Sequence, residues 1–255
     1  MSGNAGRNAR ALAFALVVLF ASPVAWAQQV VSLQVGGKDL RVEVPDGYLR
    51  MSVDQPTLFD IAKAAAPPTN RVVEGFVSTA DAKRMLMGAP AEQPSYQVQV
   101  LHNAEALDFS AADWEELRPM LAKTLGEIDM GTMTDAQSDA GAKRLGDVLG
   151  TKVTMNFGDI GKPVVYQATG DSVRFVMLVP VAVSSAGIQR QLVVECAGAA
   201  LPLAGKVVFL YVYRQHADGE DSSISRTALD HFAERAIALN QAGAAAPATA
   251  PATSP

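Results

Sequence analysis

Five β-prone runs packed into one quarter of the chain constrain the fold more than any other feature. They lie at 151–157, 163–169, 172–183, 189–196 and 206–214. The breaks between them are short and carry Gly-Asp, Gly-Lys-Pro and Ala-Gly turn chemistry. A parallel crossover needs a dozen or more residues, so these strands must be antiparallel neighbours. In the last run Phe209, Tyr211 and Tyr213 share one face and Val208, Leu210 and Val212 the other. Apolar residues on both faces predict a central strand covered on both sides. Pro180 pushes the end of its run toward an edge or a bulge.

The N-terminal part mixes strands with short helices. Val30–Val35 and Asp39–Val44 alternate around Gly36-Gly37, which predicts a hairpin with a two-residue turn. Pro45-Asp46-Gly47 turns the chain. Asp54-Gln55-Pro56 opens a helix to about Ala66, with Asp54 as its cap. A strand follows over Asn70–Val77, then a helix capped by Ser78 with Asp81, ending at Gly88. Tyr96–Leu101 alternates again. Ser110 with Asp113 caps a helix bearing Trp114, Leu117, Leu121 and Leu125, in which Pro119 predicts a kink or break. Gly126–Gly150 reads as loop with one short helix at most. The last element is a helix over about Ser225–Asn240, with Asn240 as a left-handed cap. The class is therefore α+β: a twisted, mainly antiparallel sheet packed against helices, closed by a terminal helix.

Both ends read as segments outside the fold. Arg7 and Arg10, the apolar run Ala11–Phe20 and Ala25-Trp26-Ala27 have the form of a cleaved export signal over 1–27. The run is too short for a membrane span, so no stable span is expected after cleavage. Residues 241–255 carry no charge and no large apolar side chain, as in a disordered Ala/Pro-rich tail. A single domain over 28–240 remains, in a periplasmic or secreted protein. The signal holds two arginines and no acid, so its removal takes the net charge from −5 to −7. That balance, with a pI near 5.2, argues against nucleic acid as a partner. The single cysteine, Cys196, excludes an intrachain disulfide. Alternation places it with Leu192 and Val194, as a buried, inert thiol.

The hairpin ending in Pro45-Asp46-Gly47-Tyr48, the strand Arg71–Val77, the strand around Tyr96, and Leu210-Tyr211-Val212-Tyr213 before a helix ending in Asn240 carry a resemblance. They look like uncharacterised exported bacterial proteins. Their element order is similar to the sandwich of the PsbP-like family, the extrinsic proteins of photosystem II and their Ran-binding relatives. The resemblance spans about 30–240 and rests on pattern. It implies a non-catalytic assembly or binding module and assigns no functional residue.

Chemical motifs are few. Gly170-Asp171-Ser172 resembles a hydrolase nucleophile block, with His216 and Asp218 as the partners Ser172 would need, but it equally spells a hairpin turn. Gly158–Pro163 lacks phosphate-loop spacing. Asp135, Gln137 and Asp139 begin like a calcium loop, yet Ala140 and Gly146 stand at positions that need glycine and glutamate. Asp218-Gly219-Glu220-Asp221 is an acidic turn. His102, His216 and His231 show no ligand spacing. Met85 with Met87, and Met130 with Met133, are thioether pairs that suit Cu(I) in an exported protein, and core filler otherwise. No cofactor motif occurs. The reading that follows is an exported, non-enzymatic binding or envelope-assembly accessory protein. Its expected partner is a protein or small molecule of the envelope. The alternatives are a hydrolase using Ser172 and His216, or a periplasmic copper-binding module using the methionine pairs.

Overall fold

The computed structural model describes residues 29–128 and 134–244. The expected export segment, most of the expected tail, and Met130 with Met133 lie outside them. β1 (Val30–Val35) and β2 (Lys38–Glu43) form a separate two-stranded hairpin. Its turn residues Gly36 and Gly37 are both left-handed, with φ of +52° and +78°. There follow β3 (Tyr48–Arg50), α1 (Met51–Asp54), α2 (Pro56–Ala65), β4 (Asn70–Ser78), α3 (Thr79–Leu86), β5 (Ser95–Leu101) and α4 (Ala111–Glu127). The second half holds α5 (Thr134–Leu149), β6 (Val153–Phe157), β7 (Val164–Thr169), β8 (Ser172–Ser185), β9 (Ile188–Leu203), β10 (Lys206–His216) and α6 (Ser223–Ala244).

Eight strands form one sheet in the order β3-β4-β5-β10-β9-β8-β6, with β7 also on β8. Each pairing is antiparallel. The architecture is the α+β class that the strand spacing predicts. β10 is central, as its two-sided hydrophobicity requires. Val208, Leu210 and Val212 pack beneath the β1–β2 hairpin and the α6 residues Leu229, Phe232, Ala233 and Ala236. Val207, Phe209 and Tyr211 meet Trp114, Leu117 and Leu121 of α4 on the other face. A smaller cluster of Met51, Leu58, Ala62, Val77 and Ala82 fills the space under α1–α3.

Several local expectations are corrected. Of the kink or break expected at Pro119, the break does not occur, and α4 runs from Ala111 to Glu127. The packing of Trp114, Leu117, Leu121 and Leu125 on the sheet holds the helix together across the lost hydrogen bond. Asp54 does not cap α2. It accepts from the Arg50 N–H at 2.9 Å, and α2 starts behind Gln55. Gly126–Gly150 is not mainly loop, since α5 occupies most of it. That helix is weakly amphipathic, and packing against β6 and α2 selects it. A Cβ at Gly146 would meet the Thr151 carbonyl at 2.9 Å, so glycine there marks close packing. Arg144 donates from Nε to Ala64 O and from Nη2 to Ala66 O, both at 3.0 Å, closing the end of α2.

β9 continues past Cys196 to Leu203. Ala197, Ala199 and Ala200 are fully buried, and a Cβ on Gly198 would overlap the Phe175 ring. Small residues extend the strand here because its neighbours press close. Pro180 sits at no bulge but at a local edge within β8. It pairs with Val193 of β9 at the gap between the stretches of β8 that β7 and β6 cover. Its carbonyl faces that gap and accepts from Gly158 N–H at 2.9 Å, so its missing donor faces the same way.

Asn240 is not a left-handed cap, because α6 runs on to Ala244 and takes in the first residues of the expected tail. Its amide bridges to β2 instead. Oδ1 accepts from Arg41 N–H at 3.1 Å, and Nδ2 donates to Arg41 O at 2.8 Å. Asn240→Ala should cost about 1–2 kcal/mol in urea unfolding by releasing the hairpin from α6. A helix-end cap would show only fraying there.

The Ser78–Asp81 cap forms as expected, with Asp81 N–H donating to Ser78 Oγ at 3.0 Å. Burial alone would raise the Asp81 carboxyl. The N–H groups of Glu92 and Gln93, the Ser78 hydroxyl and Arg84 outweigh it and hold the group below its ordinary value of 3.8. A carboxyl more acidic in the fold than in the unfolded chain adds stability above the unfolded value and loses it as pH falls through the folded one. Urea midpoints should therefore drop as pH falls below about 4. Asp81→Asn should lower stability at pH 7 and flatten that acid limb.

Candidate functional site

β10 ends at His216, and its last residues alternate with those of β9. Arg214 stands opposite Glu195 and His216 opposite Val193, all on the α6 face. Glu195 is fully buried. Its Oε2 accepts from Arg214 Nε at 2.9 Å and lies 3.3 Å from His216 Nδ1. Its Oε1 is buried without a hydrogen-bond partner. Arg214 also reaches Glu220 across the turn after β10, and Glu220 Oε2 accepts from Ala217 N–H at 3.2 Å. That N–H and Arg214 hold the Glu220 carboxyl below its ordinary value. Burial opposes the charge on Arg214, but Glu220 and Glu195 outweigh it and raise its pKa.

His216 lines a cleft of about 680 Å³ beside the end of β10. Two cross-strand rows make its floor: Asn156–Ala182–Gln191, and Pro180–Val193–His216. The first row has no β10 member because that strand has ended. Phe157 and Leu192 add apolar surface, and Asp218 stands on the rim. The lining offers amides, apolar groups and an imidazole oriented by a buried carboxylate, but no Ser, Thr or Cys side chain. It can bind a ligand and exchange a proton at His216. It presents no hydroxyl or thiol side chain.

The structure separates the residues of the hydrolase alternative. Gly170-Asp171 is the two-residue turn between β7 and β8, with Thr169 paired to Ser172. Ser172 is fully buried, and its Oγ accepts from Arg174 Nε at 3.0 Å. Arg174 in turn holds Asp230 of α6 at 2.7 Å. His216 is level with Pro180, eight residues along β8 from Ser172, or about 26 Å of strand. Ser172 therefore ties the sheet to α6 and has no base beside it. Asp218 lies by the cleft with His216, far from Ser172.

The copper alternative meets a similar separation. Met85 packs into the cluster under α1–α3, whereas Met87 is 68% exposed past the end of α3. Met130 and Met133 lie outside the described residues, as do the side chains of Asp135 and Gln137. His102 and His231 are exposed and apart from the cleft. In the acidic turn, Glu220 is taken by Arg214, and Asp221 accepts from Ser223 N–H at 2.9 Å. Cys196 is buried as expected, and burial pushes its thiol up to about 12. Sequence reasoning missed Glu195 as the partner of His216. The alternation of the two strands was visible, but only their register brings position 195 to 214 and 216.

Fold and site thus define an α+β protein with an antiparallel sheet and a polar-edged cleft at the end of its central strand. No helix among the described residues is long and apolar enough to cross a membrane. No protein-family model matches the chain. No curated protein matches it. Among solved structures it is similar to cyanobacterial PsbP (CyanoP) from Synechocystis sp. PCC 6803. The identity is 11%, over 84% of this chain and 95% of that one, with a TM-score of 0.33. No residue role follows from that likeness.

Glu195→Ala removes the carboxylate between Arg214 and His216. It should cost about 3 kcal/mol in urea unfolding, the lower end of the range for breaking a buried ion pair. A loss under 1 kcal/mol would show that the pair does not hold the end of β10.

Proposed function

We propose that this chain is an exported, non-enzymatic binding or envelope-assembly accessory protein, with one domain over 28–240 and its binding site in the cleft at the end of β10. The observation that carries the reading is the cleft lining. Asn156, Gln191, Gln215 and His216 converge beside Phe157, Pro180 and Leu192, with no Ser, Thr, Cys or Lys side chain in the lining. Convergent polar groups on an apolar surface orient a ligand. The signal-like segment 1–27 supports a periplasmic or secreted location.

A photo-crosslinking residue placed at exposed Gln191 tests this in cells that express the chain, with exposed Lys123 of α4 as control. Discrete envelope adducts are expected from position 191 and not from position 123. Equal labelling at both, or none at 191, overturns the assignment of the cleft.

A further inference from the structure

β9 begins five residues before it meets β10, at Ile188, while the last β10 residue pairs with Val193. On its other side, Ile188–Leu192 is fully paired with Val181–Ser185 of β8. The β10 side of 188–192 therefore has no strand against it among the described residues. Register assigns the free groups. The two-residue turn Ala186-Gly187 closes on a hydrogen-bonded pair, so Ile188, Arg190 and Leu192 bond to β8. The N–H and C=O of Gln189 and Gln191 point to the open side, two donors and two acceptors about 7 Å apart along the strand. Both residues are exposed, and their side chains lie on the face of the cleft floor.

We infer that this edge accepts an extended segment of a partner protein as an added strand in line with β10, an inference that rests on the cleft being the binding site. Such a strand would exchange main-chain bonds with Gln189 and Gln191. Its residues opposite them would point over the cleft floor, onto Ala182, Val193 and Pro180, which suits aliphatic side chains. The residue between those two would face Arg190, which is exposed and in no ion pair among the described residues. An acidic residue there complements it. The chemistry that fits is aliphatic–acidic–aliphatic in extended conformation.

A second copy of this chain fits worse. Antiparallel pairing of Gln189 with Gln191 of the copy sets Arg190 opposite Arg190, like charge on like charge. Sliding the copy toward β10 is blocked by His216, already on Val193.

The purified chain should be screened against a bead-bound library of capped heptapeptides with glutamate fixed at the centre, beside one with lysine there. Enrichment from the glutamate library is expected, with slowed hydrogen exchange at the Gln189 and Gln191 amides. N-methylating either neighbour of the glutamate should weaken a selected peptide at least tenfold. N-methylating the glutamate itself should change binding less than twofold. Arg190→Glu should shift selection to the lysine library. Gln191→Pro should abolish binding without unfolding, since that N–H serves no ladder bond. No preference for glutamate, or equal loss at every N-methyl position, overturns strand addition. If crosslinks at position 191 persist in that case, the cleft remains a binding site for another class of ligand. Their absence as well removes both readings. A dimer in sedimentation that Gln191→Pro abolishes makes the second copy the occupant and also overturns the inference.

Discussion

Two tight turns govern the parity of this protein. Ala186-Gly187 and Ala204-Gly205 each join long antiparallel strands with two residues, and all four have positive φ, between +50° and +80°. Such turns match the right-handed twist of the strands they join. Alanine in this region costs about 1 kcal/mol or more, so register is bought with strain that glycine would avoid. Fixed register decides which side chains face which layer. A one-residue slip in β9 would carry Glu195 to the face of Tyr213 and bring Val194 to where the carboxylate now lies. The ion pair, the buried alanines under α6 and the open edge all follow from these turns.

The end of β10 couples fold to site. Glu220 takes the Ala217 N–H and Arg214 together, which turns the chain away from the sheet just after His216. That departure launches α6 back over β9 and β10 toward β2, where Asn240 receives the hairpin. It also strips β9 of its neighbour from Leu192 back to Ile188. Residues 217–222, which let the terminal helix cover the core, therefore leave unpaired main chain beside a cleft. An exposed edge is an aggregation hazard that folds usually blunt with charge. Arg190 at the centre of the edge does so toward a second copy, while its charge still admits an acidic strand.

What was legible in the sequence sorts by the range of the signal. Strand alternation and capping pairs act within a few residues, so the five strands, the Gly36-Gly37 turn and the Ser78 and Ser110 caps could be read directly. α5 could not, because close packing of Gly146 and the Arg144 bonds to α2 hold it, with no apolar stripe of its own. The far half of β9 was hidden for a related reason: Ala and Gly look weak as strand formers until Phe175 and α6 occupy the space they leave. Asn240 reads as a cap only if its own helix is considered, since its partner lies on β2. At the site, His216 was singled out but given Ser172, a pairing that register places strands apart.

The Glu195 cluster shows why its residues are costly to explain by stability alone. A fully buried carboxylate with one oxygen unpaired carries a desolvation cost of roughly 1–3 kcal/mol. Apolar residues of similar volume often replace buried ion pairs without loss. What an apolar replacement would not supply is direction. The carboxylate fixes one nitrogen of His216 and, through Arg214 and Glu220, the point at which β10 stops. Both outcomes bear on the cleft rather than on the core, whose apolar clusters lie elsewhere on the sheet. The polar network therefore spends stability at the cleft beside the end of β10.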